Sequence, residues 1–243
     1  MKNSFQPLEN DKTAIKSYLK LRRFIGYLGF LLPLVCIAGS FLIPNCENSI
    51  HKSISDYYFT PLRDVFVGIL CAVAFFLFAY KGSLKYDNII ATLGGFFALG
   101  IAFFPTSVQC ELGCNISYQL LFPNLSEIHF YSALLFFAVL IYFSLYSFVK
   151  DPDEKNQTNW KRKKLIYQIC GFTMLASVSG IAAYFLLYLN HVDYTDVNIC
   201  NEAPLSYNLI FWLETLALIA FGFSWIAKGR FTFKNLNPMT IFK

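Results

Sequence analysis

Long stretches without a single Asp, Glu, Lys or Arg alternate along this chain with short polar segments. Such stretches run between Arg23 and Glu47, Asp64 and Lys81, Asp87 and Glu111, Glu127 and Lys150, and Lys164 and Asp193. A sixth, Ala203 to Ala227, is interrupted only by Glu214. Each block with its uncharged flanks supplies roughly 20 apolar residues, and at about 1.5 Å per residue that matches a hydrocarbon core of about 30 Å. The pattern predicts six transmembrane helices, near 24–43, 62–80, 88–104, 128–149, 165–188 and 205–227. The expected fold is all-α, a six-helix transmembrane bundle forming a single domain over 1–243. Punctuation agrees: Thr60-Pro61 and Pro204 stand where helices start, Pro44 and Pro105 where they stop, and Asn124 with Glu127 resembles a capping box.

Composition places the chain in the membrane range. It is 56% hydrophobic and 14% charged, with a mean hydropathy of +0.48. Charge then supplies direction, because cytoplasmic loops retain Lys and Arg. Six lie in 1–23, two in 81–87, six in 150–164 and four from Lys228 onward, leaving only Lys52 and Arg63 for the other three connections. Both termini are therefore expected in the cytoplasm, with 44–61, 105–127 and 189–204 outside. The first apolar block is too long and too late for a cleaved signal peptide, so it reads as a retained span. A bacterial inner (plasma) membrane is the expected location. The net charge of +5 needs no nucleic acid, since the basic residues sit where anionic headgroups would meet them.

The third predicted span carries a stripe of Ala91, Gly94, Gly95, Ala98 and Ala102. Small residues at this spacing let another helix approach closely. The stripe suits packing within the chain or, through Ala91, Gly95 and Ala98, a homo-oligomer. Gly171, Ser177, Ser179 and Gly180 give the fifth span a similar look.

Chemistry-bearing residues gather on the outer side. Cys46, Cys110, Cys114 and Cys200 all fall in outer loops, where an oxidising compartment favours disulfides in any of three connectivities. Cys36, Cys71 and Cys170 lie within spans and read as small core residues. His51, His129 and His191 share one membrane depth. With a carboxylate such as Asp56, Asp64 or Asp193 they could hold zinc with a position open for water, although no pair has the spacing of four that makes a metal motif specific. Three hydrogen-bonding histidines and no cofactor are the plainer expectation. The densest polar stretch, His51 to Asp64, leads straight into the second span. Its Arg63 could hold a phosphate or carboxylate headgroup, or pair with Asp56 or Asp64. Glu214 is the one ionisable acid or base well inside a span, which the length of the block places near the midplane. Ser177, Ser179 or a backbone carbonyl are its expected partners, and a proton or cation site is the functional alternative.

Six spans with both ends inside, and a first outer loop carrying Ile54-Ser55-Asp56, a proline and then Val65-Phe66, resemble the DRAM/Sfk group of membrane proteins. The stretch Ser53 to Gly68, with Phe103-Phe104-Pro105-Thr106, is also similar to uncharacterised multi-spanning bacterial membrane proteins. Tyr57-Tyr58 departs from the DRAM pattern, which has small residues after the aspartate. The resemblance implies lipid handling, with Ser55, Asp56 and Arg63 as the positions carried over. A second resemblance, to zinc-dependent ceramidase-like hydrolases, rests on the three histidines; the chain lacks their paired histidines on the last span and has one span fewer.

Three functions follow as expectations. The first is a membrane protein that binds or handles a lipid headgroup at the extracytoplasmic leaflet through Ser55, Asp56, Tyr57, Arg63 and His129, with membrane lipids as partners. The second is a zinc-dependent lipid hydrolase with His51, His129 and His191 as ligands and Asp56 or Asp64 as base. The third is a proton- or cation-coupled transporter built on Glu214.

Overall fold

The computed structural model describes residues 9–43, 50–106, 126–155, 159–188 and 208–229. The described residues are helical throughout apart from turns and short connections. In chain order the helices are α1 (Glu9–Leu42), α2 (Arg63–Ala79), α3 (Asp87–Phe103), α4 (Ser126–Lys150), α5 (Trp160–Tyr188) and α6 (Leu209–Lys228). A 3-10 turn, Ser55–Phe59, precedes α2, and a short helical turn, Pro152–Lys155, links α4 to α5. Each expected apolar block contains one of the helices, but α1 begins at Glu9, well ahead of its block, and α6 at Leu209. Four of them, α1, α4, α5 and α6, contain segments long and apolar enough to cross a membrane. The exterior carries Phe24, Leu34, Phe75, Phe96, Tyr131, Phe172 and Trp212 with their rings and methyls exposed, a surface that lipid tolerates and water does not.

Each helix packs against its chain neighbours, and α6 packs back against α1, so the order closes on itself. The closure is made by glycine. A methyl group on Gly222 would lie 2.7 Å from the Gly26 carbonyl oxygen, and one on Gly29 would lie 3.1 Å from that of Leu218. Only hydrogen fits at these crossings, and the two backbones approach accordingly. The α3 stripe works the same way inside the chain. Gly95 sits against Ala74 and Phe78 of α2, Gly94 against Val139 of α4, and Ala91 and Ala98 are fully buried. Packing within the chain thus occupies the face of Ala91, Gly95 and Ala98 with α2 and α4.

Aromatic rings fill one end of the bundle axis. Trp225 of α6 meets Tyr80 at 5.2 Å and Phe148 at 5.5 Å in edge-to-face geometry, and Phe143 packs on both Tyr80 and Trp225. Such pairs add roughly 0.5–1.5 kcal/mol each beyond their buried area. Here α4 departs from regular helix: Phe143–Ser147 is a π segment. It turns Ser144 onto Ser224 of α6 (2.7 Å) and Ser147 onto Asp87 of α3 (2.8 Å).

The end opposite the 3-10 turn is not the bland face that its loop charges suggested. Asp87 is fully buried and accepts from Ser147, from the Tyr142 hydroxyl (3.1 Å) and from the Leu84 N–H (3.0 Å). Lys228 and Asp151 form a buried ion pair, their side chains 2% and 5% exposed. Loop counting reads such residues as solvated charge; the bundle instead takes them in as matched partners.

Candidate functional site

The polar stretch between α1 and α2 folds into the other end of the bundle as a plug. Thr60 sets its exit: the hydroxyl donates to the Tyr57 carbonyl (2.8 Å) and accepts from the Leu62 N–H (3.1 Å), turning the chain at Pro61 into α2. Asp56 and Ser53 fix the entrance. The Ser53 N–H donates to the Asp56 carboxylate (3.0 Å), and the Asp56 N–H donates to the Ser53 hydroxyl (3.2 Å). This reciprocal pair is the local signal that Ser-Ile-Ser-Asp carries in sequence.

Three helices then hold the plug. The Tyr57 hydroxyl hydrogen-bonds Ser40 of α1, whose own hydroxyl also lies 3.1 Å from the Cys36 carbonyl. From α6, the Phe211 N–H donates to the Lys52 carbonyl (2.9 Å) and the Glu214 carboxylate accepts from the Ile54 N–H (2.6 Å). From α4, His129 places Nε2 2.9 Å from the Ser55 hydroxyl and Nδ1 2.8 Å from the Phe104 carbonyl. Asn208, in the left-handed conformation at φ 64°, turns the chain into α6 beside this docking point.

Several expectations shift on this geometry. Glu214 lies about one and a half turns from the start of α6 at Leu209, where the plug reaches it. Its partner is a backbone N–H, and neither serine supplies it. Ser179 is exposed on the outside of α5, while Ser177 is 1% exposed with no hydrogen-bond partner for its hydroxyl among the described residues. Tyr57 is 1% exposed and faces α1 and Phe211, so it anchors the plug and does not line an open surface. Asp64 is exposed in the first turn of α2, where a helix N-terminus favours its charge.

Arg63 is half-buried at the start of α2. Its guanidinium lies over the Tyr58 ring at 4.6 Å and donates to the Tyr58 hydroxyl (2.9 Å). Asp56 is engaged within the plug by Ser53. Burial pushes the Asp56 carboxyl up to about 6, against the lowering effect of the Ser53 hydrogen bonds and the Lys52 charge. His51, buried with its ring 4.6 Å from that of Tyr57, is pushed down to about 4 by desolvation.

His51 and His129 are described and His191 is not. Among the described residues no group of three His, Cys, Asp or Glu is placed to hold a metal ion. The His129 ring already has hydrogen bonds at both nitrogens, so a metal there would have to displace Ser55. Cys46, Cys110, Cys114 and Cys200 lie outside the described residues, as do Asn124, Pro204 and Asp193; Cys36, Cys71 and Cys170 are free thiols, as their place in the spans suggested. No family model, curated protein or solved structure matches the chain.

Proposed function

We propose that this is a six-span membrane protein, both ends cytoplasmic, that binds the headgroup of an anionic lipid at the extracytoplasmic leaflet, with Arg63 as the cation that receives it. The observation that carries the reading is the seating of Arg63. Tyr58 supports the guanidinium by ring and hydroxyl, which fixes it in place. Tyr58 belongs to a plug anchored on α1, α4 and α6, so the cation is held at a set depth at the start of α2. A pre-positioned planar donor suits bidentate contact with phosphate, and little ordering is required when the lipid arrives. The distribution of eighteen basic residues against two supports the side assignment.

His129, with both nitrogens engaged, weighs against the zinc hydrolase, and Glu214, engaged by the plug, against a carrier that cycles that carboxylate. Native mass spectrometry of protein released from bilayers of phosphatidylglycerol and phosphatidylcholine tests the reading. The wild-type protein should retain phosphatidylglycerol about tenfold better than Arg63→Gln, as loss of a charge-assisted contact implies. Equal retention by the two proteins would remove Arg63 as the receptor.

A further inference from the structure

Ser55 and His129 stand in the order nucleophile, base and orienting acceptor. The Ser55 hydroxyl oxygen is 2.9 Å from His129 Nε2, and Nδ1 of the same ring is 2.8 Å from the Phe104 carbonyl oxygen. A carbonyl can only accept, so Nδ1 carries the hydrogen, and the neutral ring presents its lone pair on Nε2 to the serine. The Phe104 carbonyl thus does what the carboxylate does in a serine triad: it fixes tautomer and ring plane. His129 is 2% exposed while Ser55 is half-buried. The base is dry and the nucleophile lies at its edge.

The plug also sets the distance to Arg63. Ser55 and Tyr58 are three residues apart in a 3-10 turn, which has three residues per turn, so both project from one side, about 6 Å apart along its axis. Tyr58 is the residue that seats Arg63. In a glycerophospholipid the phosphate and the nearest acyl ester are separated by a comparable few bonds. A phosphate on Arg63 and an ester at Ser55 would draw on the two ends of one short turn.

We propose that Ser55 and His129 are the nucleophile and general base of a metal-free acyl-ester hydrolase acting on the anionic phospholipid that Arg63 holds, an inference that rests on the headgroup reading. The Ser55 hydroxyl oxygen bonds to the ester carbonyl carbon as its proton passes to Nε2. Collapse of the tetrahedral intermediate breaks the carbon–oxygen bond to the glycerol side, and the imidazolium proton goes to that oxygen. Water then attacks the acyl-serine ester, giving its proton to Nε2; the fatty acid leaves and the proton returns to Ser55.

A merely structural clamp of serine on histidine would not activate the hydroxyl, and a fluorophosphonate probe separates the two. Full-length protein in phosphatidylglycerol nanodiscs should gain one phosphonyl adduct on the peptide containing Ser55. The adduct should vanish in Ser55→Ala and form at least ~100-fold more slowly in His129→Gln, the usual scale of general-base assistance. No adduct on the folded wild-type protein overturns the dyad, as does equal labelling of His129→Gln. Arg63→Gln should still label at Ser55 while losing phosphatidylglycerol retention. Labelling without Arg63-dependent retention overturns the headgroup reading and the phospholipid substrate together; retention without labelling overturns the dyad alone.

Discussion

Replacing Glu214 by Leu should release the plug from α6. The carboxylate accepts the N–H of Ile54, a residue buried in the plug. A buried N–H left without its acceptor costs about 1–3 kcal/mol, and each 1.4 kcal/mol is tenfold in an equilibrium. Loss of the acceptor should therefore speed hydrogen exchange at the Ile54 amide by roughly 5–150-fold. Glu214→Gln keeps a carbonyl acceptor of the same reach, so it should raise exchange at Ile54 less than Glu214→Leu does. The Phe211 amide, which donates to Lys52, serves as a second reporter. If the plug undocks as a unit, Phe211 and Ile54 accelerate together; if it loosens locally, only Ile54 does. Amides deeper in α6 should keep their protection, since Leu is at home in an apolar helix. Exchange at Ile54 within twofold of the wild type in Glu214→Leu would refute the claim that this carboxylate holds the plug.

Two further outcomes follow from buried charge. Lys228→Met strands the Asp151 carboxylate inside the bundle and should cost about 3–5 kcal/mol, whereas Lys228→Met with Asp151→Leu should recover most of that loss. Thermal unfolding of the single and double variants in one detergent reads the difference, and a double variant no more stable than the single would contradict it. The second outcome concerns pH. His51, at about 4 in the folded protein, binds fewer protons than it would unfolded, so its contribution is present above pH 6.5 and lost as pH falls toward 4. Asp56, at about 6, has the opposite sign: its contribution is present below its ordinary value near 4 and lost as pH rises through 6. Between pH 4 and 6 the two oppose. Thermal stability should rise with pH in Asp56→Asn and fall with pH in His51→Gln; parallel slopes would disprove the assignment.

Helix positions were legible because each is an apolar run bounded by charge, and neither feature needs tertiary information. Ser53 to Asp64 was legible as the centre of interest, since polar density beside a span start is local as well. Other features depend on where the backbone goes. Glu214 was counted from Pro204, whereas the described helix starts at Leu209, a boundary that composition does not mark. Asp87, Asp151 and Lys228 look like loop charges until the bundle buries them beside Tyr142, Ser147 and one another. A signal did exist: Ser144, Ser147 and Ser224 are polar residues inside apolar runs, which marks them for interhelical bonds. Gly26, Gly29 and Gly222 were equally visible, but their pairing joins the two ends of the sequence, and no local pattern reports that.

That pairing has a consequence for biosynthesis. Among the described helices the first has its closest partner in the sixth: α1 meets α6 at Gly26 and Gly222, with four helices between them in the chain. During translation the contact at Gly26 can form only once α6 has been made. Chains truncated before Leu209 would carry a permanently open notch and lack the acceptor for Ile54. Closure at Gly26 thus waits on α6, across the four helices that intervene in the chain.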